Sequence, residues 1–226
     1  MKFQVLPLIV AFVTASFAST SQAQTICIDP GHPSENGVGT HGKHISEVHA
    51  AWVVALKVQN ILEADGYKVI LTKNSEHEVV RNIRRAEIAN EAHASFALRL
   101  HCDAGTKPGI ATYYPAKQGH VGNKTGPSEE VIRASHRAGV IFHKALIQSL
   151  DGALEDRGLL TDSETFIGGK QGGALTGSIY STVPVVLVEM AVLQNEHDDL
   201  FISTEDGQNT VAKALAAGVE AAVPRG

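Results

Sequence analysis

Short apolar, β-branched runs alternate with longer segments of helical period between residues 25 and 222, and this alternation restricts the chain to a narrow set of folds. The first run, Thr25-Ile26-Cys27-Ile28, reads as a buried strand that stops at Asp29-Pro30-Gly31. Proline fixes φ and glycine tolerates positive φ, so the chain turns there and presents His32 at the strand's end. A helix is expected from Ser46, a suitable N-cap, to about Leu62, with Gly66 closing the element. Further strands are expected over Tyr67–Thr72, Ser95–His101, Ile110–Tyr114 and Pro184–Glu189, and further helices over Val79–Glu91, Glu129–Ser149 and Asn209–Ala222. The remainder of 103–128 reads as a mobile surface loop, Asp156-Arg157-Gly158 as a turn, and 168–177 as a glycine-rich segment. Strand and helix in this rhythm imply a largely parallel sheet with right-handed crossovers. The expected fold is α/β: a single three-layer domain with a mostly parallel twisted sheet of about six strands and helices on both faces.

The first residues stand apart from that pattern. Lys2 precedes an apolar run over Val5–Val13, and Ser21-Gln22-Ala23 has the form of a cleavage site. Residues 1–23 are therefore expected to be a secretory signal peptide, too short in its apolar part to span a bilayer comfortably, with 24–226 as the catalytic domain. This predicts an exported protein, periplasmic or extracellular, without stable membrane insertion after cleavage. The net charge of −5 and the lack of any basic block argue against nucleic acid as a partner. A monomer is expected. An oxidising compartment permits a bridge between Cys27 and Cys102; two buried free thiols are the alternative.

Four elements end in residues that carry chemistry. His32 follows the first strand, Glu47 opens the first helix, His101 ends the strand Phe96–Leu100, and Glu189 ends the strand 184–188. In a doubly wound sheet the C-terminal strand ends share one edge, so residues far apart in sequence converge there. Two histidines and a carboxylate suit one Zn²⁺ ion with a fourth position left for water. A second carboxylate beside it can take a proton from that water and deliver it to a leaving amine, and Glu189 fits that task. Each residue also has a plainer role. Glu47 in a first helical turn is favourable with the helix dipole, His101 suits a hydrogen-bonded core position, and Glu189 can pair with Arg99 or Arg157. His44 and His49, which flank Glu47, are competing ligands.

Taken together, Ile28-Asp29-Pro30-Gly31-His32, Glu47, Arg85-Ala86-Glu87-Ile88-Ala89-Asn90, Leu100-His101, Asp156-Arg157-Gly158 and Val186-Leu187-Val188-Glu189 resemble the zinc-dependent N-acetylmuramoyl-L-alanine amidases in order and interval along nearly all of 25–222. The resemblance implies zinc held by His32, Glu47 and His101, with Glu189 as the catalytic acid/base. It also implies association with the cell wall, peptidoglycan as the partner, and cleavage of the amide between N-acetylmuramic acid and the L-alanine of the stem peptide. The alternatives are a zinc peptidase or amidase with another substrate on the same scaffold, and a catalytically inactive wall-binding module. The family's usual Ser-Ile-His-Xaa-Asn is here Arg99-Leu100-His101-Cys102-Asp103, its Glu-Xaa-Gly-Phe is Glu189-Met190-Ala191-Val192, and a familiar arginine after the second strand is Lys73. Arg99 shares a strand face with His101, which makes Arg99 and Asp103 candidates for substrate contact or for support of the metal site, Arg99 by pairing with Glu189 or a substrate carboxylate.

Overall fold

The computed structural model describes residues 23–225, so the signal peptide expected over 1–23 lies, but for Ala23, outside the described residues. The strands are β1 (Thr25–Pro30), β2 (Lys68–Leu71), β3 (Phe96–Asp103), β4 (Ile110–Tyr114), β5 (Gly119–Val121), β6 (Lys124–Gly126), β7 (Asp156–Thr161) and β8 (Val185–Val192). Six of them form one sheet in the order β2-β1-β3-β8-β4-β7, and β5 and β6 form a separate hairpin. The pairs β1–β2, β1–β3 and β3–β8 are parallel, β4 is antiparallel to β8, and β7 is parallel to β4. The reversal at β4 follows from its connection. Residues 104–109 are too few for a crossover of the dozen or so residues that a parallel return needs.

The helices are α1 (Glu47–Ala64), α2 (Asn82–Glu91), α3 (Glu129–Leu150), α4 (Phe166–Lys170), α5 (Thr176–Ile179), α6 (Glu196–Ser203) and α7 (Glu205–Ala222). Alternation along the strands sorts the two faces. Ile26, Ile28, Phe96, Leu98, Leu100, Val186 and Val188 point into the main core, where Val54 and Leu62 of α1, Phe142 and Leu146 of α3, and Leu215 and Val219 of α7 cover them. Cys27, Ala97 and Val185 point to the other face, against Ala89 of α2. Both faces are thus covered, which is why these parallel strands read as nearly continuous apolar runs. The same opposite face carries Asp29, Arg99, His101, Leu187 and Glu189 toward the strand ends, so the polar residues of the sheet share one side.

Three expectations need correction. Asp156-Arg157-Gly158 is the start of edge strand β7 rather than a turn; Gly158 adopts φ 101°, and the pairing with β4 shifts register there, a bulge that looks like a turn in sequence. The loop 103–128 contains the β5–β6 hairpin, and the glycine-rich 168–177 lies across α4 and the start of α5. Helix α6 was not expected at all; Asn195 caps it by accepting from the amides of His197 and Asp198. Cys27 and Cys102 are both free and buried. Cys27 pairs in register with Ala97, five residues before Cys102, which puts about 16 Å of strand between them.

Phe142 is fully buried between the sheet and α7. Phe142→Ala is expected to cost about 3–5 kcal/mol of unfolding free energy by chemical denaturation; a loss below about 1 kcal/mol would contradict this packing.

Candidate metal centre and cleft

The site is assembled at the C-terminal ends of β1, β3 and β8 and the N-terminus of α1. Gly31 follows β1, and its amide donates to the Leu100 carbonyl at 2.8 Å. A Cβ on Gly31 would stand 2.6 Å from the His101 ring, so only glycine lets the two strand ends approach this closely. His32 comes next, at φ 50°. Its backbone is clamped from below: Lys73 Nζ donates to the His32 carbonyl at 2.6 Å, and Arg85 donates to the carbonyls of Pro30 at 2.7 Å and Pro33 at 2.9 Å. The ring is fixed as well. His32 Nδ1 donates to the Gly37 carbonyl at 3.1 Å, which leaves Nε2 as the lone-pair nitrogen.

Glu47 opens α1 behind the N-cap Ser46, whose hydroxyl accepts from the His49 amide. Its carboxylate is almost wholly buried and fully used. Oε2 accepts from the Thr40 amide at 2.8 Å; Oε1 accepts from the Cys102 amide at 3.2 Å and lies 2.9 Å from His101 Nδ1 and 3.6 Å from His32 Nε2. One ligand atom from each of His32, Glu47 and His101 falls within 4.8 Å of the other two. Burial pushes the Glu47 carboxyl up, but the hydrogen bond and charge of His101, the charge of His32 and the Thr40 amide outweigh it and hold it below its ordinary value. Burial pulls His101 down against the attraction of Glu47. An ionised carboxylate and a neutral imidazole are the forms that bind a metal, so the donor set fits zinc in chemistry as well as in placement.

Glu189 sits on β8 directly beside His101 in the sheet register. The residue is half-buried, but its Oε2 is enclosed without a hydrogen-bond partner. Burial, and then the carboxylates of Glu47 and Asp103, push its pKa well above the ordinary range; Arg157 and Arg99 pull the other way without reversing it. A cleft of about 350 Å³ opens over this group, with His32, Arg99, His101 and Glu189 on its floor and Phe166, Ile167 and Thr176 on its wall.

Arg99 lines the cleft, whereas Asp103 does not. Arg99 Nε donates to Asp29 at 3.0 Å and makes no ion pair with Glu189. Asp103 accepts from Arg157 Nη2 at 2.7 Å and from the Gly105 amide, at the rim of β3. His44 and His49 stay out of the cluster: the His44 amide donates to Asp199, and the His49 ring meets Glu76. Sequence reasoning missed Asp29, Arg85 and Lys73 as the support under His32, although buried charges at the ends of apolar runs were a signal. It also missed the wall formed by residues 165–177, whose short helices leave no strong period.

A family model described as N-acetylmuramoyl-L-alanine amidase matches residues 26–221. The chain belongs to this family. Among curated relatives, N-acetylmuramoyl-L-alanine amidase AmiC of Neisseria meningitidis serogroup B is 24% identical over 219 residues, covering 86% of this chain and 51% of the relative. A cell wall amidase of Bacillus anthracis, described as uncharacterized, is 23% identical over 210 residues, covering 88% of this chain and 35% of the relative. The chain thus spans about half or less of the length of these amidases. Of the solved amidase structures, AmiC2 of Nostoc punctiforme has a TM-score of 0.70 at 20% identity, covering 88% of this chain and 96% of that one. Apo Ami1 of Mycobacterium abscessus has 0.67 at 21%, covering 88% and 98%. The fold expected from the sequence is the one these amidases share.

The Glu189 carboxyl has a testable cost. Its folded-state pKa lies above the unfolded value near 4.5, so its charged form is disfavoured on folding. Relative to a neutral side chain, stability is fully present below that value and is lost as pH rises toward the folded pKa. In metal-free protein, Glu189→Gln is expected to melt several degrees above the unaltered chain at pH 8, with the gap closing near pH 4.5. A gap independent of pH would contradict the placement of this group.

Proposed function

We propose that this chain is an exported zinc hydrolase that cleaves the amide between N-acetylmuramic acid and the L-alanine of the peptidoglycan stem peptide. The observation that carries the reading is the convergence of His32, Glu47 and His101 on one point, with Glu189 lining the cleft beside His32 and His101, in a chain of the amidase family. His32, Glu47 and His101 would hold the ion. Bound there, zinc supplies a Lewis acid that brings the pKa of water to about 7 and polarises a carbonyl.

The remaining work falls to the protein. The Glu189 carboxylate, which lines the cleft beside His101, accepts the proton from the attacking water. A carboxyl raised by burial holds that proton until the tetrahedral stage, then gives it to the alanine nitrogen as the bond to the lactyl carbonyl breaks. The Gly37 carbonyl keeps His32 in the tautomer that directs Nε2 inward, and Thr40 and Cys102 orient Glu47 through backbone donors. The cleft above Glu189 admits the chain on either side of the scissile bond. Export through the expected signal peptide would bring the domain to its polymeric substrate. Among the described residues, no helix is long and apolar enough to cross a membrane.

Purified peptidoglycan incubated with the zinc-loaded protein is expected to release stem peptides with a free L-alanine amine, identified by mass. Chelation should stop the release and added zinc restore it. Fragments cut elsewhere, or none, would defeat the reading. Glu189→Gln is expected to keep one zinc per chain while losing on the order of 10²–10⁴ in kcat. Retained activity would remove Glu189 from its role.

A further inference from the structure

Beneath the cleft lies a buried charge cluster centred on Asp29. The Asp29 carboxylate accepts from Arg85 Nη1 at 2.6 Å, Thr72 Oγ1 at 2.5 Å and Arg99 Nε at 3.0 Å. Asp29 is the carboxylate in direct contact with both guanidinium groups, which are nearly buried; Asp162 and Glu189 act on Arg99 by charge without a hydrogen bond to it. Arg85 is fully engaged, because its other donors hold the carbonyls of Pro30, Pro33 and Val80. Arg99 is not. Only its Nε is used; among the described residues no acceptor meets its Nη1 or Nη2, and its side chain, 8% exposed, lines the cleft beside Glu189. Gly177 lies flat against the guanidinium, where a Cβ would stand 2.8 Å from Cζ and Nη1. The group is thus fixed by Asp29 and Gly177 with its outer edge toward the cleft. A buried, preoriented guanidinium with an open edge is suited to a planar anion.

We propose that Arg99 is a specificity-determining residue that receives a carboxylate of the stem peptide, on the residue following the alanine. The inference rests on the amidase reading above. In that substrate the lactyl carboxyl is consumed in the scissile amide and the sugars carry no acid, so the carboxylate must come from the peptide. The reach agrees. Arg99 and His101 are two residues apart on one strand face, about 7 Å, and an extended peptide advances about 3.3–3.6 Å per residue. A peptide whose second residue is glutamate offers a free carboxylate there; the amidated form, isoglutamine, offers a neutral carboxamide. The chain departs here from its family's serine, and the departure gives it a discriminator that serine cannot provide.

The test uses two preparations of intact peptidoglycan, one with glutamate and one with isoglutamine at the second peptide position. Stem-peptide release is measured at subsaturating substrate with the zinc-loaded protein. The glutamate wall is expected to be cleaved on the order of ten times faster or more. Arg99→Met should bring the ratio toward one, and Arg99→Lys should keep part of it. Gly177→Ala, which displaces the guanidinium without removing its charge, should also narrow the ratio. Equal rates on both walls with the unaltered protein would overturn the proposal, a result that needs no variant to fold. So would Arg99→Met slowing both walls equally, the mark of a purely structural residue. Release from neither wall would overturn the amidase reading and this inference with it.

Discussion

The arrangement depends on the Asp29 carboxylate buried at the end of β1. It is a charge in a place where charges are expensive, and it persists because Arg85, Arg99 and Thr72 all donate to it. Burial would raise its pKa, but the two guanidinium groups and the hydroxyl hold it well below the ordinary carboxylate range, so it stays ionised. Once Arg85 is anchored there, its remaining donors reach the carbonyls of the turn that bears His32. Lys73, whose ammonium burial and the Arg85 charge pull down to about 8, grips the His32 carbonyl itself. A tight turn that no hydrophobic packing could position is thus pinned by charged donors from β2's end and α2.

Glu47 ties that turn to the rest of the site. Its two oxygens bridge the loop at Thr40, the strand end at Cys102 and both histidines. The candidate ligands come from three elements that are remote in sequence, and the parallel packing of β1 and β3, with α1 against them, brings them to one edge. The candidate metal site is therefore a consequence of sheet topology, refined by a buried polar network in which most groups are satisfied. The exceptions among the described residues are Arg157 Nη1, Asp162 Oδ1, Glu189 Oε2 and Asp199 Oδ1, and Arg99 uses only its Nε. Of these residues Glu189 and Arg99 line the cleft, where substrate is expected to complete the network.

Much of this was legible in the sequence. Apolar runs ending in Asp29-Pro30-Gly31 and at His101 and Glu189 placed the sheet and its edge, because buried parallel strands leave a strong pattern. The four residues singled out there, His32, Glu47, His101 and Glu189, do lie together. Edge strand β7 did not show itself, since a bulge at Gly158 and a half-exposed strand erase the alternation. Helices α4 and α5 were missed because they have four or five residues each, less than two helical turns. Arg99 was assigned to the right face, and of the protein's own carboxylates it pairs with Asp29 rather than Glu189. Strand alternation predicts a side, whereas the choice between Asp29 and Glu189 depends on neighbouring strands' register.

On the proposed function, His32, Glu47 and His101 alone from this chain hold one zinc ion. X-ray absorption at the zinc edge of the metal-loaded protein tests this directly. The account predicts a signal from two imidazoles with oxygen donors and no sulfur, one zinc per chain. Sulfur in the coordination shell, which would implicate the adjacent Cys102, or three or more imidazoles would contradict it.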